Sequence, residues 1–208
     1  DKVGVYYPAV DTSLYNKRPK AEIAHVKTKY ELDDNYILFV GNIEPRKNLK
    51  NLLLAYEKLS NDLQKKYPLL LVGAKGWQDG EIFEIISRLK KKSCKIRLPN
   101  QYVTDEDLPA IYSGAVAFVY PSIYEGFGIP PLEAMACGVP VICADNSSLP
   151  EAVGKAAIMV DALSVDDISS AMTKLLTDTT LQAKLVKKGT EQVKNFSWDA
   201  SAKKLLES

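Results

Sequence analysis

An α/β fold built on a parallel sheet covered on both faces is predicted by three observations. Continuous apolar runs recur from residue 36 onward, among them Tyr36–Gly41, Leu69–Gly73, Ala115–Tyr120 and Val139–Cys143. Strands buried on both faces read this way, whereas a sheet with one wet face alternates apolar and polar residues. Longer amphipathic stretches separate the runs, as crossover helices between parallel strands require. Finally, 208 residues with 46% hydrophobic and 25% charged side chains are enough to bury a proper core.

In order along the chain, residues 1–35 are less regular, and Val3–Asp11 reads as a lead-in joining this domain to a preceding one. Tyr36–Gly41 is the first strand and Asn48 to about Leu59 a helix, with Asn48 suited to cap it. Leu69–Gly73 is the second strand, followed by a helix from about Asp79 to Lys92. Lys95–Leu98 is a short strand, and Asp105–Ser113 a short helix whose acidic start complements the helix dipole. Ala115–Tyr120 is a strand, Leu132–Cys137 a helix and Val139–Cys143 a strand. Ala157–Val160 is the last strand, with helices near 165–176, 180–188 and 198–206. The division expected is a lead-in (1–35), a Rossmann-like doubly wound parallel-sheet domain (36–195) and a terminal helix (196–208). Ligands of such folds bind beyond the carboxyl ends of the strands, here the loops after Val40, Val72, Leu98 and Tyr120.

Several function classes are excluded by the bulk numbers. A net charge of +1 argues against a nucleic-acid binder, whose phosphate contacts need clustered excess Lys and Arg. No apolar run is long enough to cross a bilayer, and Asp1-Lys-Val-Gly is no signal peptide. The chain lacks an initiating Met, as expected of a fragment of something longer. Cys94, Cys137 and Cys143 fit neither a zinc site nor a disulfide framework, which favours a reducing, cytoplasmic setting. Cys137 and Cys143 sit among apolar residues and are expected to be buried. With His25 the only histidine, a histidine-rich metal site is excluded, and no serine sits on a nucleophile elbow.

The most informative segment runs from Tyr120 to Pro140. It places Glu125 and Glu133 on either side of a glycine-rich turn, Gly126-Phe-Gly128, that opens a helix. A strand end, glycines and a helix start present backbone N–H groups to an anion. Glycines allow positive φ and close approach, so the N–H groups of Gly126, Phe127, Gly128 and Ile129 are the expected donors. Pro130 and Pro131 donate nothing but cost little at a helix start. Carboxylates repel phosphate and suit hydroxyls, so the combination reads as a nucleotide-sugar site. Arg46 and Lys47 stand before a second helix start, where two cations repel the dipole unless an anion shares the site.

The stretch Glu125–Glu133 resembles the E-x7-E signature of family 4 retaining glycosyltransferases, in the form E-G-F-G-x-P-x-x-E. Phe39-Val-Gly-Asn-Ile-Glu-Pro-Arg-Lys-Asn48 and Cys137-Gly-Val-Pro-Val-Ile142 resemble two further landmarks of that family, and the similarity runs from about Val5 to Trp198. The resemblance implies the C-terminal, donor-binding half of a two-domain GT-B enzyme. Arg46 and Lys47 would neutralise the diphosphate leaving group, with Asn42 standing where many relatives carry arginine. Glu133, in the first helical turn, would grip the ribose, and Glu125 would lie nearer the transferred sugar. Tyr102 and Val103 would line the base. Arg46, Lys47 and Glu125 form the expected catalytic set, without a protein nucleophile. The resemblance also implies transfer with retention from a nucleoside diphosphate sugar, GDP-mannose being the leading donor, to a glycan or lipid-linked acceptor. No cofactor and no metal are expected; Asp105-Glu-Asp107 reads D-x-D but is better taken as a helix start. The expected partner is the N-terminal acceptor domain, and this chain alone is expected to bind donor but transfer poorly. The alternative is a non-enzymatic nucleotide-sugar module or a subunit completed by a separate acceptor chain.

Two features stay open at this level. Lys75 and Trp77, after the second strand, suit either donor contact or ordinary surface and packing roles. The basic cluster Arg88, Lys90, Lys91, Lys92, Lys95 and Arg97 suits peripheral association with anionic lipid at the inner face of a membrane. It equally suits a dipole-stabilised helix end, the favoured reading. The terminal helix is expected to leave Leu205 and Leu206 exposed.

Overall fold

The structure, a computed structural model, describes residues 6–74 and 80–206. Six strands form one sheet: β1 (Ile37–Val40), β2 (Leu69–Val72), β3 (Ile96–Arg97), β4 (Ala117–Tyr120), β5 (Val141–Ala144) and β6 (Ala157–Val160). Their order is β3-β2-β1-β4-β5-β6 and every pairing is parallel. This is the doubly wound, Rossmann-like arrangement. The order reverses between β1 and β4, where Ile37 lies opposite Ala117 and Leu38 opposite Phe118.

The helices are α1 (Lys20–Lys29), α2 (Leu49–Glu57), α3 (Asn61–Lys66), α4 (Gly80–Lys91), α5 (Leu108–Ser113), α6 (Ile129–Ala136), α7 (Leu149–Val153), α8 (Val165–Thr177), α9 (Thr179–Val193) and α10 (Trp198–Leu206). α2 packs between α4 and α8, while α5 packs on α1 and α6, and α6 on α9. The two groups cover opposite faces, as a sheet wound both ways from its centre demands. The spacing of Ile168, Ala171, Met172, Leu175 and Leu176 in α8 puts one apolar stripe on the core. α8 and α9 begin on side-chain caps, Ser164 accepting from the Asp167 N–H (3.2 Å) and Asp178 from the Leu181 N–H (2.8 Å).

The central strands carry the core. Ile37, Leu38, Phe39, Leu69, Phe118, Val119 and Ile142 are buried on both sides, each contributing about 1.5–3 kcal/mol by leaving water. Cys137 and Cys143 are buried, as expected, and so is Cys94; burial pushes all three thiols above the ordinary value.

α1 and the start of α5 depart from the sequence expectation. α1 lies inside the segment read as irregular; of its ten residues only Val26 is buried, so it lacks the apolar stripe that reveals a helix. It is held instead by Lys29 Nζ on Asp107 (2.6 Å) and by the neighbouring Tyr30 hydroxyl on the same carboxylate (2.7 Å). Asp105–Asp107 therefore form a turn before α5 rather than its first helical turn, and Asp107 ties α1 down instead of complementing a dipole. Three of the six residues of the basic cluster are neutralised: Arg88 and Lys92 share Glu57, and Arg97 pairs with Asp33. Leu205 and Leu206 are 60% and 87% exposed, as expected. Among the described residues no helix is long and apolar enough to cross a membrane.

Candidate functional site

At the carboxyl ends of β1 and β2 two backbones nearly touch. Gly41 N–H donates to Val72 O (2.9 Å), and a Cβ on Gly73 would lie 2.1 Å from Gly41 O. The loop after β1 passes Asn42, exposed, and tightens into a 3-10 turn at Pro45–Lys47. Asn48 does not cap α2 with its side chain, contrary to expectation. It adopts the left-handed conformation (φ 57°), and its amide donates to Pro121 O (3.0 Å) and Ala162 O (2.6 Å). One asparagine thus pins the loops after β1, β4 and β6 together. Asparagine tolerates this backbone better than most residues and brings two donors to spend on it.

The expected catalytic trio converges. Glu125 Oε1 accepts from Lys47 Nζ (2.7 Å), Ser122 Oγ (2.6 Å) and the Tyr120 hydroxyl (3.0 Å), while Oε2 accepts from Arg46 (2.9 Å). Lys47 Nζ also bonds the Tyr120 hydroxyl. Burial raises the Glu125 carboxyl, but the Lys47 and Ser122 bonds and the Lys47 charge outweigh it, leaving it below the ordinary carboxylate range. The two cations are not equivalent. The Lys47 side chain is 8% exposed and enclosed, whereas that of Arg46 is 46% exposed and also reaches Glu44 (3.0 Å). Burial alone would lower the Arg46 guanidinium's pKa, but Glu125 and Glu44 raise it. Arg46 is therefore the more accessible of the two cations.

The glycine turn follows directly. Among the described residues no protein acceptor takes the N–H of Gly126, Phe127 or Gly128, and Ile129 opens α6 with Pro130 and Pro131 behind it. Of the turn's two glycines only Gly128 has positive φ (116°), and a Cβ there would lie 2.7 Å from Leu149 Cδ2. Gly126 does not take the positive φ expected of it; its α-carbon faces open space, and a Cβ added there would meet nothing within 4 Å. Ser148 Oγ lies 2.9 Å from Glu125 O and 3.0 Å from Phe127 O, and Asn146 donates to Ser122 O (3.1 Å). The carbonyls of the turn are thus held from behind by the loop after β5. The Phe127 ring turns inward against Tyr7 and Phe196.

Glu133 is the fifth residue of α6, one turn later than expected. Its Oε2 accepts from the buried Tyr112 hydroxyl (2.9 Å). Burial pushes the carboxyl above its ordinary value, with Asp105 adding to the rise and the Tyr112 and Tyr15 hydroxyls opposing it. The fold therefore disfavours the ionised form, a penalty absent in acid and fully felt once pH exceeds the folded value. Glu133→Gln is expected to melt higher than the unaltered chain at neutral pH. That gain should shrink to nothing as pH falls below the ordinary carboxylate range. Thermal melts across roughly pH 3 to 8, a span that brackets this range, check it; a pH-independent difference would count against the buried carboxylate.

Tyr102, 78% exposed, and half-buried Val103 line a cavity of about 140 Å³ with Val72, Gly73, Leu98 and Pro99, beyond the ends of β2 and β3. A larger cavity, about 690 Å³, lies between residues 10–16 and the α9–α10 junction and contains none of the expected site residues. Lys75 and Trp77 fall outside the described residues. Sequence reasoning missed Tyr120, Ser122, Asn146 and Ser148. Tyr120 and Ser122 lie in the segment singled out, but nothing in their spacing says that both aim at Glu125. The run Asn146-Ser-Ser148 directly after a strand end is the one available signal for the support behind the turn.

Residues 20–192 match the model of the family described as glycosyl transferases group 1. The chain is 44% identical over 189 residues to the O-antigen chain mannosyltransferase B of Escherichia coli, covering 90% of this chain and 49% of that protein. It is 38% identical over 208 residues to the serotype-specific mannosyltransferase WbdA of Escherichia coli, covering 99% of this chain and 24% of that protein. This chain therefore spans about half the length of the first of these relatives and a quarter of the second. In fold it resembles the C-terminal domain of a glycosyl transferase group 1 family protein (LpcC) from Francisella tularensis. The TM-score is 0.77 at 20% identity, covering 90% of this chain and 97% of that one.

Proposed function

Because this chain belongs to the glycosyl transferases group 1 family, we propose that it binds the nucleoside diphosphate sugar of a retaining sugar transfer. The observation that carries this reading is the convergence of Arg46 and Lys47 on one carboxylate beside three unclaimed backbone N–H groups. Cations and preorganised amides are what a departing diphosphate needs, since they act where negative charge develops. The diphosphate would lie between Arg46 and the Gly126–Gly128 turn, the base beside Tyr102 and Val103. Glu133 would accept from the ribose and Glu125 would lie near the sugar. Asn42 is uncharged and leaves Arg46 and Lys47 to supply the charge. The mannosyltransferase relatives support mannose as the sugar, and GDP-mannose is the donor proposed with it. The reaction then builds a surface polysaccharide, with an acceptor-binding domain as partner and the work done at the inner face of the membrane. No metal or cofactor enters this reading.

Calorimetric titration with GDP, UDP and ADP tests it. GDP should bind, and Arg46→Ala should weaken it by about 10- to 150-fold, the range of a lost charge-assisted contact of roughly 1.5–3 kcal/mol. Equal affinity of Arg46→Ala and the unaltered chain for every diphosphate would overturn the assignment. Sugar transfer by this chain alone would overturn its restriction to the donor side.

A further inference from the structure

The two ends of the described chain meet behind the glycine turn. Tyr7 stacks on Phe127 (centroids 5.5 Å apart, planes at 30°), and Phe196 meets both rings edge-on, at 5.3 Å from Phe127 and 5.7 Å from Tyr7. Val10 N–H donates to Phe196 O (3.3 Å), and Ser201 Oγ to Tyr7 O (2.5 Å), so the lead-in and the start of α10 hold one another. The Tyr7 hydroxyl bonds Glu151 on α7. α7 is also the surface on which Gly128 rests, through Leu149 and Ala152. The only side chain the turn possesses, Phe127, is therefore gripped by residues from opposite ends of the sequence.

We infer that Tyr7 and Phe196 are positioning residues for the anion-binding turn, acting through the Phe127 ring to aim the N–H groups of residues 126–128. The inference rests on the functional reading above, in which those N–H groups receive the diphosphate. A ring in a three-way aromatic contact has few alternative rotamers, and its backbone is fixed with it. Ser148 fixes the same turn through its carbonyls, and the aromatic contact fixes it through its one ring. Neither Tyr7 nor Phe196 touches the ligand in this account. Their effect belongs to the phosphates and not to the base.

The test is an NMR titration of the unaltered chain, Tyr7→Ala and Tyr7→Phe with GDP, UDP and ADP and with the parent nucleosides. Tyr7→Ala should weaken the bound diphosphate about three- to tenfold, as loss of an aromatic pair predicts, and leave its nucleoside within about twofold. Tyr7→Phe, which keeps the ring, should bind like the unaltered chain. Should Tyr7→Ala not fold, Phe196→Leu carries the same test. Unchanged diphosphate affinity in the ring-less variant, or an equal loss for diphosphate and nucleoside, would overturn the inference and leave the site assignment standing. Failure of the unaltered chain to bind any diphosphate would overturn both.

Discussion

Replacing Lys47 with methionine should destabilise the domain by about 3 kcal/mol, at the lower end of the usual cost of stripping one partner from a buried ion pair. The side chain fits the space, so the loss is electrostatic. Glu125, 10% exposed, would retain Arg46, Tyr120 and Ser122 but lose the one cation enclosed with it. Adding Glu125→Gln should recover much of the loss, because no buried charge is then left uncompensated. Urea denaturation of the two single variants and the double variant measures the coupling directly. Losses that simply add would refute the pairing. The pH dependence provides a second check. Glu125 titrates below its ordinary value in the fold, so its stabilising contribution is present above that value and fades as pH falls through the folded one. The penalty of Lys47→Met should fade over the same window.

Gly73→Ala is expected to be the more damaging change, costing about 3–5 kcal/mol or preventing folding, a size of effect seen when backbone strain and overpacking coincide. Its methyl would sit 2.1 Å from Gly41 O and 2.6 Å from Gly41 C, both main-chain atoms, at a φ of 155° that favours glycine. No side chain can turn aside to relieve that contact; β1 and β2 would have to separate. Gly126→Ala is the natural control, since its methyl meets nothing within 4 Å, and stability should change by no more than about 0.5 kcal/mol. Thermal melts of the two proteins decide the matter. Similar melting temperatures would show that the Gly41–Gly73 approach is not a constraint on the fold.

The strands are legible in the sequence because a parallel sheet buries both faces, and Ile37–Val40, Leu69–Val72 and Ala117–Tyr120 advertise it as unbroken apolar runs. α8 is legible from its stripe. α1 is not, since it is held by Lys29 and Tyr30 on Asp107, a contact between distant residues that leaves no periodic trace. α3 and α7, at six and five residues, are too short to show a period. The site divides in the same way. Arg46, Lys47, Glu125 and the Gly126–Gly128 turn can be found because local spacing carries their chemistry. The left-handed Asn48 and the support from Tyr120, Ser122 and Ser148 are tertiary facts. Spacing alone sets Glu133 one turn early because the helix begins at Ile129, before the two prolines rather than after them.

The strand order also sets a schedule for assembly on the ribosome. β1 takes β2 on one flank, with Ile37 opposite Leu69, long before β4 exists to occupy the other, with Ala117 opposite the same residue. Lys47 meets its counter-ion across 78 positions of sequence, and the turn gains its support from Ser148 later still. Loop closure over such separations is slow relative to local pairing. A nascent chain that has emerged only as far as β3 therefore holds half a sheet and an unneutralised cation. The scaffold comes first, and the Lys47–Glu125 pair and the glycine turn beside it are closed only after β4 and β5 have followed.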